Sequence, residues 1–309
     1  MPIRHLASFV FGVSGAIFAV VVSLIAIAVV RFRSRKGEGE GRGDAGREPA
    51  QIYGSNRLET AWTVVPMLIV LVLALTGARV VQALQDPRRP AGALDVTIVG
   101  HQWWWEIRYP SLGIVTANEL HVPVSDPRAA SPTPTWLELT SADVVHSFWV
   151  PRLAGKTDLI PNRTNHAWIA PDAPGLYLGQ CAEFCGTQHA KMLLRVYAHS
   201  REDFDRWVKA QSEPRPPSAM TPGRRVFESN GCVNCHALGG TIANGRYAPD
   251  LTHLMSRDTL ASGIVPNTPA NLRQWLQQPD AVKPGAHMPA MQLGDQDLDQ
   301  LVAYLLTLQ

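Results

Sequence analysis

Twelve residues concentrate metal-binding side chains: Cys181-Ala-Glu-Phe-Cys185-Gly-Thr-Gln-His189-Ala-Lys-Met192. Two thiols, an imidazole and a thioether make a soft ligand set, the kind that selects copper, zinc or iron–sulfur. A thioether suits zinc poorly, whereas a Cys, two His and a weak axial Met suit an electron-transfer copper. The second His is expected from a separate strand, and His146 in DVVHSFWVP is the best placed. Cys185, His189 and Met192 with that His would hold one copper, which leaves the Cys181 thiolate over. Two thiolates bridging two copper ions, each ion capped by one His, uses both cysteines. The alternatives, a zinc site or two inert thiols, leave Met192 and His146 without a role.

The other two of the four cysteines stand in Cys232-Val-Asn-Cys235-His236. This is the attachment pattern of a c-type haem, with two thioether links and an axial His. A zinc or redox pair is the competing reading of an isolated motif. A helix-like stretch, TPGRRVFESNG, precedes the motif, and a Met follows in PGAHMPA, 52 residues after His236. The closing DQDLDQLVAYLLTL has apolar residues at helical spacing. A segment of roughly 90 residues is small for a hydrophobic core of its own, and a haem would supply what is missing.

These ligands need elements to hold them, and the rest of the chain supplies three kinds. Of 309 residues, 46% are hydrophobic and 17% charged, with a net charge of +2, which excludes a disordered chain and a nucleic-acid binder. The 24 Pro and 24 Gly argue against a mostly helical bundle. Leu6 to Val30 is a run of 25 residues without a charge, longer than the apolar core of a signal peptide and long enough to span a bilayer. Thr60 to Ala78 is a second uncharged run, of 19 residues. The segment 31–59 between them carries seven Lys or Arg, as short cytoplasmic loops do. The expectation is a transmembrane helical hairpin at 1–90, with everything after about residue 85 outside the cytoplasm. From Leu94 to Tyr197 the pattern changes to period two in LDVTIV, TWLELT, HAWIA and MLLRVYA, which predicts an antiparallel all-β sandwich or barrel at 91–200. A short helix and the Pro-rich stretch SEPRPPS form a linker at 201–220, and an all-α domain follows at 221–309.

Residues 50–200 resemble subunit II of the haem–copper cytochrome c oxidases, through GHQWWWEIRY, VVHSFWVPRLAGKTDLIPNRTN and CAEFCGTQHAKM. The resemblance implies a cupredoxin-like Greek-key fold in which His146, Cys181, Cys185, His189 and Met192 ligate a dinuclear CuA centre. It further implies that the Glu183 carbonyl completes that centre, and that the Glu183 carboxylate reaches a magnesium ion shared with subunit I. Trp103 matches the aromatic on the surface where electrons arrive; Trp104 departs from the Tyr more usual at its position, and packing is the simpler reading of Trp104 and Trp105. Glu59 matches an acid near the mouth of a proton path in subunit I. Arg152, Lys156 and Asp158 match residues at the interface with other subunits.

Residues 221–309 resemble class I cytochrome c. That resemblance makes Cys232, Cys235 and His236 the haem-binding set and Met288 the second axial ligand, with Met291 and His287 as rivals. Pro249 matches the Pro whose carbonyl holds the ligand His. Gly223 and Phe227 match the first helix, and Tyr304 the last, which the first crosses. A cytochrome c behind a CuA domain is characteristic of caa3-type bacterial oxidases. By resemblance the chain is a multi-pass subunit of the bacterial inner membrane with both soluble domains on the periplasmic side. Its partners would be subunit I, subunit III, a donor cytochrome or upstream respiratory complex, and the lipid bilayer, with no nucleic acid. A free-standing membrane electron carrier, a CuA-bearing nitric oxide reductase and a quinol oxidase are the competing functions. Glu59 and Glu183 speak against the first, and the complete copper ligand set against the last.

Overall fold

The computed structural model describes residues 2–32, 53–85, 88–125, 134–213 and 220–309. Most of the basic segment 31–59 and of the Pro-rich linker lies outside the described residues. Two compact units divide the chain, residues 1–87 and 88–309.

The first unit holds two helices, α1 (Pro2–Arg31) and α2 (Asn56–Gln85). Their apolar stretches of 28 and 27 residues, at 1.5 Å per residue, exceed the roughly 30 Å of a hydrocarbon core. Phe18, Leu24 and Leu71 are exposed, as side chains that meet lipid would be. Arg31 closes α1 and Glu59 lies in the first turn of α2, the ends where the helix dipole favours those charges.

The second unit begins with two five-stranded sheets. One has the order β3-β2-β1-β5-β8, from β1 (Leu94–His101), β2 (Trp104–Tyr109), β3 (Ile114–Ala117), β5 (Thr135–Ser141) and β8 (Asn165–Ile169). The other has the order β4-β10-β9-β6-β7, from β4 (Glu119–Pro123), β6 (His146–Trp149), β7 (Thr157–Leu159), β9 (Gly175–Cys181) and β10 (Leu193–His199). Alternate residues of both sheets, among them Ile98, Trp105, Leu137, Phe148 and Val196, meet in one core. The expected purely antiparallel pairing is corrected: β1 runs parallel to β5, and β4 parallel to β10. Alternation fixes which face of a strand is buried, but not the direction of its neighbour.

Helix α3 (Arg201–Ser212) follows, capped by Ser200, whose hydroxyl accepts from the Asp203 amide. Its Trp207 packs on Tyr109 and His121, and His121 is hydrogen-bonded to His199 at 2.9 Å. Burial, with His199 beside it, pushes His121 down to about 3, so it packs as a neutral ring.

The regular elements of the C-terminal part are helices, apart from the two-residue strands β11 (Thr259–Leu260) and β12 (Val265–Pro266). Its helices are α4 (Pro222–Ser229), α5 (Cys232–Cys235), α6 (Pro269–Gln277), α7 (Pro279–Val282) and α8 (Asp295–Leu305). Thr221 and Thr268 cap α4 and α6, each followed by Pro at the first helical position. Helix α4 crosses α8 at Gly223, where a side chain would run into the backbone of Gln300, and Phe227 packs on Tyr304 at 6.2 Å. These helices enclose a second core, which shares no residue with the core of the sandwich.

Candidate copper and haem sites

The end of β9, the start of β6 and the loop before β10 converge on one buried cluster. Cys181 closes β9, and its sulfur lies 3.8 Å from that of Cys185 and 3.9 Å from His146 Nδ1. Cys185 Sγ is 3.6 Å from His189 Nδ1 and 3.9 Å from Met192 Sδ. The Glu183 carbonyl oxygen lies 3.1 Å from Cys181 Sγ. Every ligand expected for copper is therefore in one place, and the donor atoms of His146, Cys181 and Cys185 lie within 4.8 Å of one another. Two neighbouring sulfurs, each with an imidazole nitrogen within 4 Å, fit a dinuclear copper centre. The hydrogen bond from Cys185 holds Cys181 well below the ordinary thiol range, while Cys185 is raised by the same contact.

Asp143 is a functional residue that the sequence reading missed. Its carboxylate accepts from His146 Nε2 at 2.8 Å, which turns Nδ1 toward the sulfurs. The backbone amides of Gln102 and Val144 fix the carboxylate in turn. Its position three residues before His146 was the available signal.

A cavity of about 260 Å³ between the C-terminal part and the sandwich is lined by Cys232, Cys235, His236 and Met288. His236 Nδ1 donates to the Pro249 carbonyl at 2.7 Å, so Nε2 carries the lone pair that an iron would take. Burial lowers the His236 pKa and keeps the ring neutral. The two thiols, the oriented imidazole, the thioether and the apolar wall from Phe227, Leu272 and Trp275 fit a covalently held haem. Met291 and His287 also line the cavity. His287 is engaged by Tyr247 and Trp103.

The two sites meet at Trp103. Its indole N–H donates to the Cys185 carbonyl at 2.8 Å, and its ring packs on His287 with centroids 4.6 Å apart. Its carbonyl accepts from Lys283 Nζ and Ser262 Oγ, each at 2.7 Å. Trp104 lines the haem cavity and stacks on His101, and Trp105 is fully buried in the sandwich core. Glu119 of β4 is buried and accepts from the amides of Asp258 and Thr259 and from the Thr259 hydroxyl. Arg257 donates to Thr116, and Tyr197 to Asp258. No local sequence pattern marks Lys283, Ser262, Arg257 or Glu119 as partners, because they are brought together only by the packing of the two domains.

The remaining site residues lie apart from this cluster. Glu183 projects an exposed carboxylate that accepts from Lys156 Nζ at 3.1 Å, with Asp158 3.5 Å from the same nitrogen. Arg152 lies over the Tyr177 ring. Glu59 stands at the start of α2 in the other unit.

Comparison with known families matches three stretches of the chain. Residues 2–80 match the cytochrome C oxidase subunit II transmembrane domain, 94–198 its periplasmic domain, and 220–309 cytochrome c. Cytochrome c oxidase subunit 2 of Alkalihalophilus pseudofirmus is 37% identical over 271 residues, covering 84% of this chain and 76% of the relative. The subunit 2 of Bacillus sp. (strain PS3) is 34% identical over 288 residues, covering 86% and 78%. Among solved structures, the periplasmic domain of subunit II from Bradyrhizobium japonicum is 27% identical with a TM-score of 0.37, covering 41% of this chain and 96% of that one. The chain belongs to the cytochrome c oxidase subunit II family, as a membrane protein of two transmembrane helices, a periplasmic CuA domain and a C-terminal cytochrome c domain that serves electron transfer in a terminal oxidase.

Proposed function

We propose that this chain takes electrons from a donor cytochrome and delivers them, by way of haem c and the dinuclear CuA centre, to haem a of subunit I, where oxygen is reduced to water with proton pumping. When bound, the haem and the copper pair supply one-electron redox chemistry. The chain's own residues hold and link them. Cys232, Cys235, His236 and Met288 would hold the haem, and His146, Cys181, Cys185, His189, Met192 and the Glu183 carbonyl the copper.

The observation that carries the reading is the double engagement of Trp103. One side chain touches the Met288 loop through His287 and the copper loop through the Cys185 carbonyl. It is only 9% exposed, so a diffusing donor has no access to it. The donor must instead approach the cytochrome c domain. The Glu183 carboxylate faces outward, where it can give one oxygen to a magnesium ion shared with subunit I once Lys156 moves aside. Glu59 is the acid that would stand near the proton path. Both soluble domains belong on the periplasmic side of the inner membrane, beside subunits I and III.

The test uses the purified oxidase with its partners. Metal and haem analysis should give, for each copy of this chain, one c-type haem and two copper ions beyond those held by subunit I. Rapid mixing with reduced donor should reduce haem c before copper. Copper reduced by the donor while haem c stays oxidised would overturn the assigned order.

A further inference from the structure

We infer that Lys283 is a positioning residue for electron transfer between the haem domain and the copper loop: with Ser262 it clamps the Trp103 carbonyl and keeps the indole seated between His287 and the Cys185 carbonyl. The inference rests on the reading of Trp103 given above.

Lysine is almost never fully buried unless its charge is paired. Lys283 is 4% exposed, and its hydrogen-bond partners among the described residues are two neutral oxygens, Trp103 O at 2.7 Å and Ser262 Oγ at 3.1 Å. Burial pushes the ammonium down to about 7, with the nearby Cys185 sulfur opposing the shift. A buried cation of this kind costs stability that a Leu or Met would not. Its aim at one backbone carbonyl of the other domain is the feature that sets it apart from core packing.

Ser262 makes the same point independently. It lies in a run of three left-handed residues, Ala261, Ser262 and Gly263, with φ of 54°, 60° and 84°. Two of these are not glycine, and such backbone persists only where its surroundings over-determine it. The turn is pressed onto the sandwich, since a Cβ on Gly263 would lie 3.2 Å from Leu193 Cβ. The strained turn delivers the Ser262 hydroxyl, 2% exposed, to the Trp103 carbonyl at 2.7 Å. Two donors from separate segments of the haem domain thus converge on one oxygen. Trp103 is then fixed at both ends, by its carbonyl on the haem side and by its indole N–H on the copper side. Electron transfer falls steeply with separation and misalignment, so loosening one end of this bridge should slow transfer without disturbing either metal site.

The experiment compares Lys283→Met, Ser262→Ala and Trp103→Phe in the complete, metal-loaded oxidase. Haem c absorption and the copper electron paramagnetic resonance spectrum should match the parent in Lys283→Met and Ser262→Ala. Haem-to-copper transfer after flash reduction of the haem should fall by about tenfold in Lys283→Met and by less in Ser262→Ala. Midpoint potentials in Ser262→Ala, which removes no charge, should be unchanged, so its slower rate reports coupling and not driving force. Turnover with an artificial reductant that reaches copper directly should persist in both. Should Lys283→Met fail to assemble, Ser262→Ala decides alone, because Ala at that φ is strained about as Ser is. If Trp103→Phe slows transfer and the clamp variants do not, Lys283 is a structural cation and this inference fails while the Trp103 route stands. If none of the three slows it, the route itself fails as well.

Discussion

Met192 Sδ lies 3.9 Å from Cys185 Sγ at the edge of the copper cluster, where a thioether acts as a weak ligand that tunes potential more than affinity. Met192→Leu should therefore retain two copper ions and the seven-line hyperfine pattern of a shared electron, with a shifted midpoint potential. Cys185→Ser removes a bridging sulfur and should abolish the centre. Metal content and electron paramagnetic resonance check both, and a stable four-line spectrum in the parent protein would mean one copper and sink the dinuclear reading. His146, Cys181, Cys185, His189 and Met192 were legible as candidates because each is a chemically distinctive residue in or near a short motif, whereas the Glu183 carbonyl came from family resemblance alone. Asp143 was missed although it stands three residues before His146, and Glu106 has no signature until its partners are located. Burial opposes charge on Glu106, yet His101 and Arg108 overcome it and hold the carboxyl down at about 2. A carboxylate depressed in the folded state contributes stability that is fully present above about pH 4.5 and is lost as the pH falls through about 2. Glu106→Gln should remove that contribution, so acid unfolding of the variant should be flatter across this window than that of the parent. An unchanged acid limb would show that the His101–Glu106–Arg108 cluster does not couple to folding.

At the scale of elements, period-two runs placed four of the ten sandwich strands, and Thr-Pro pairs mark where α4 and α6 begin. The parallel pairs β1–β5 and β4–β10 were not legible, because direction is decided by long connections and not by alternation. The crossing of α4 on α8 came from family resemblance, and the structure supplies its physical reason. At Gly223 an added Cβ would meet the Gln300 backbone and lie 2.6 Å from Tyr304 Cβ. Neither neighbour is a flexible side-chain end, so the helices themselves must part. Gly223→Ala should destabilise the cytochrome c domain by about 1–3 kcal/mol, the usual range for overpacking. Denaturant unfolding followed by haem absorption measures this, and a midpoint equal to the parent's would show that the crossing tolerates a methyl group.

Across the whole molecule, the two soluble domains keep separate hydrophobic cores and are joined by polar contacts. Glu119, Arg257, Tyr197, Ser262 and Lys283 provide these contacts, and all but Tyr197 are buried. The sequence supported only a tether that raises the local concentration of the cytochrome c domain. The structure adds a specific docked face, which no reading of separate motifs could supply because its members come from both domains. Separate cores mean that the sandwich does not need the haem domain to fold, whereas the docked face means that Trp103 is covered as long as that domain is present. Ending the chain after Glu213 should therefore leave the membrane helices and the copper cluster in place. It would also uncover Trp103 and Glu119. Oxidation of the native donor should fall sharply, because its acceptor is gone, and turnover with a small reductant that reaches copper directly should persist or rise. Both rates, with copper content as the control for an intact centre, are measured on the assembled oxidase. A truncated enzyme that oxidised its native donor as fast as the full chain would make the cytochrome c domain an accessory, and electrons would then have to reach the copper through the face that the domain covers.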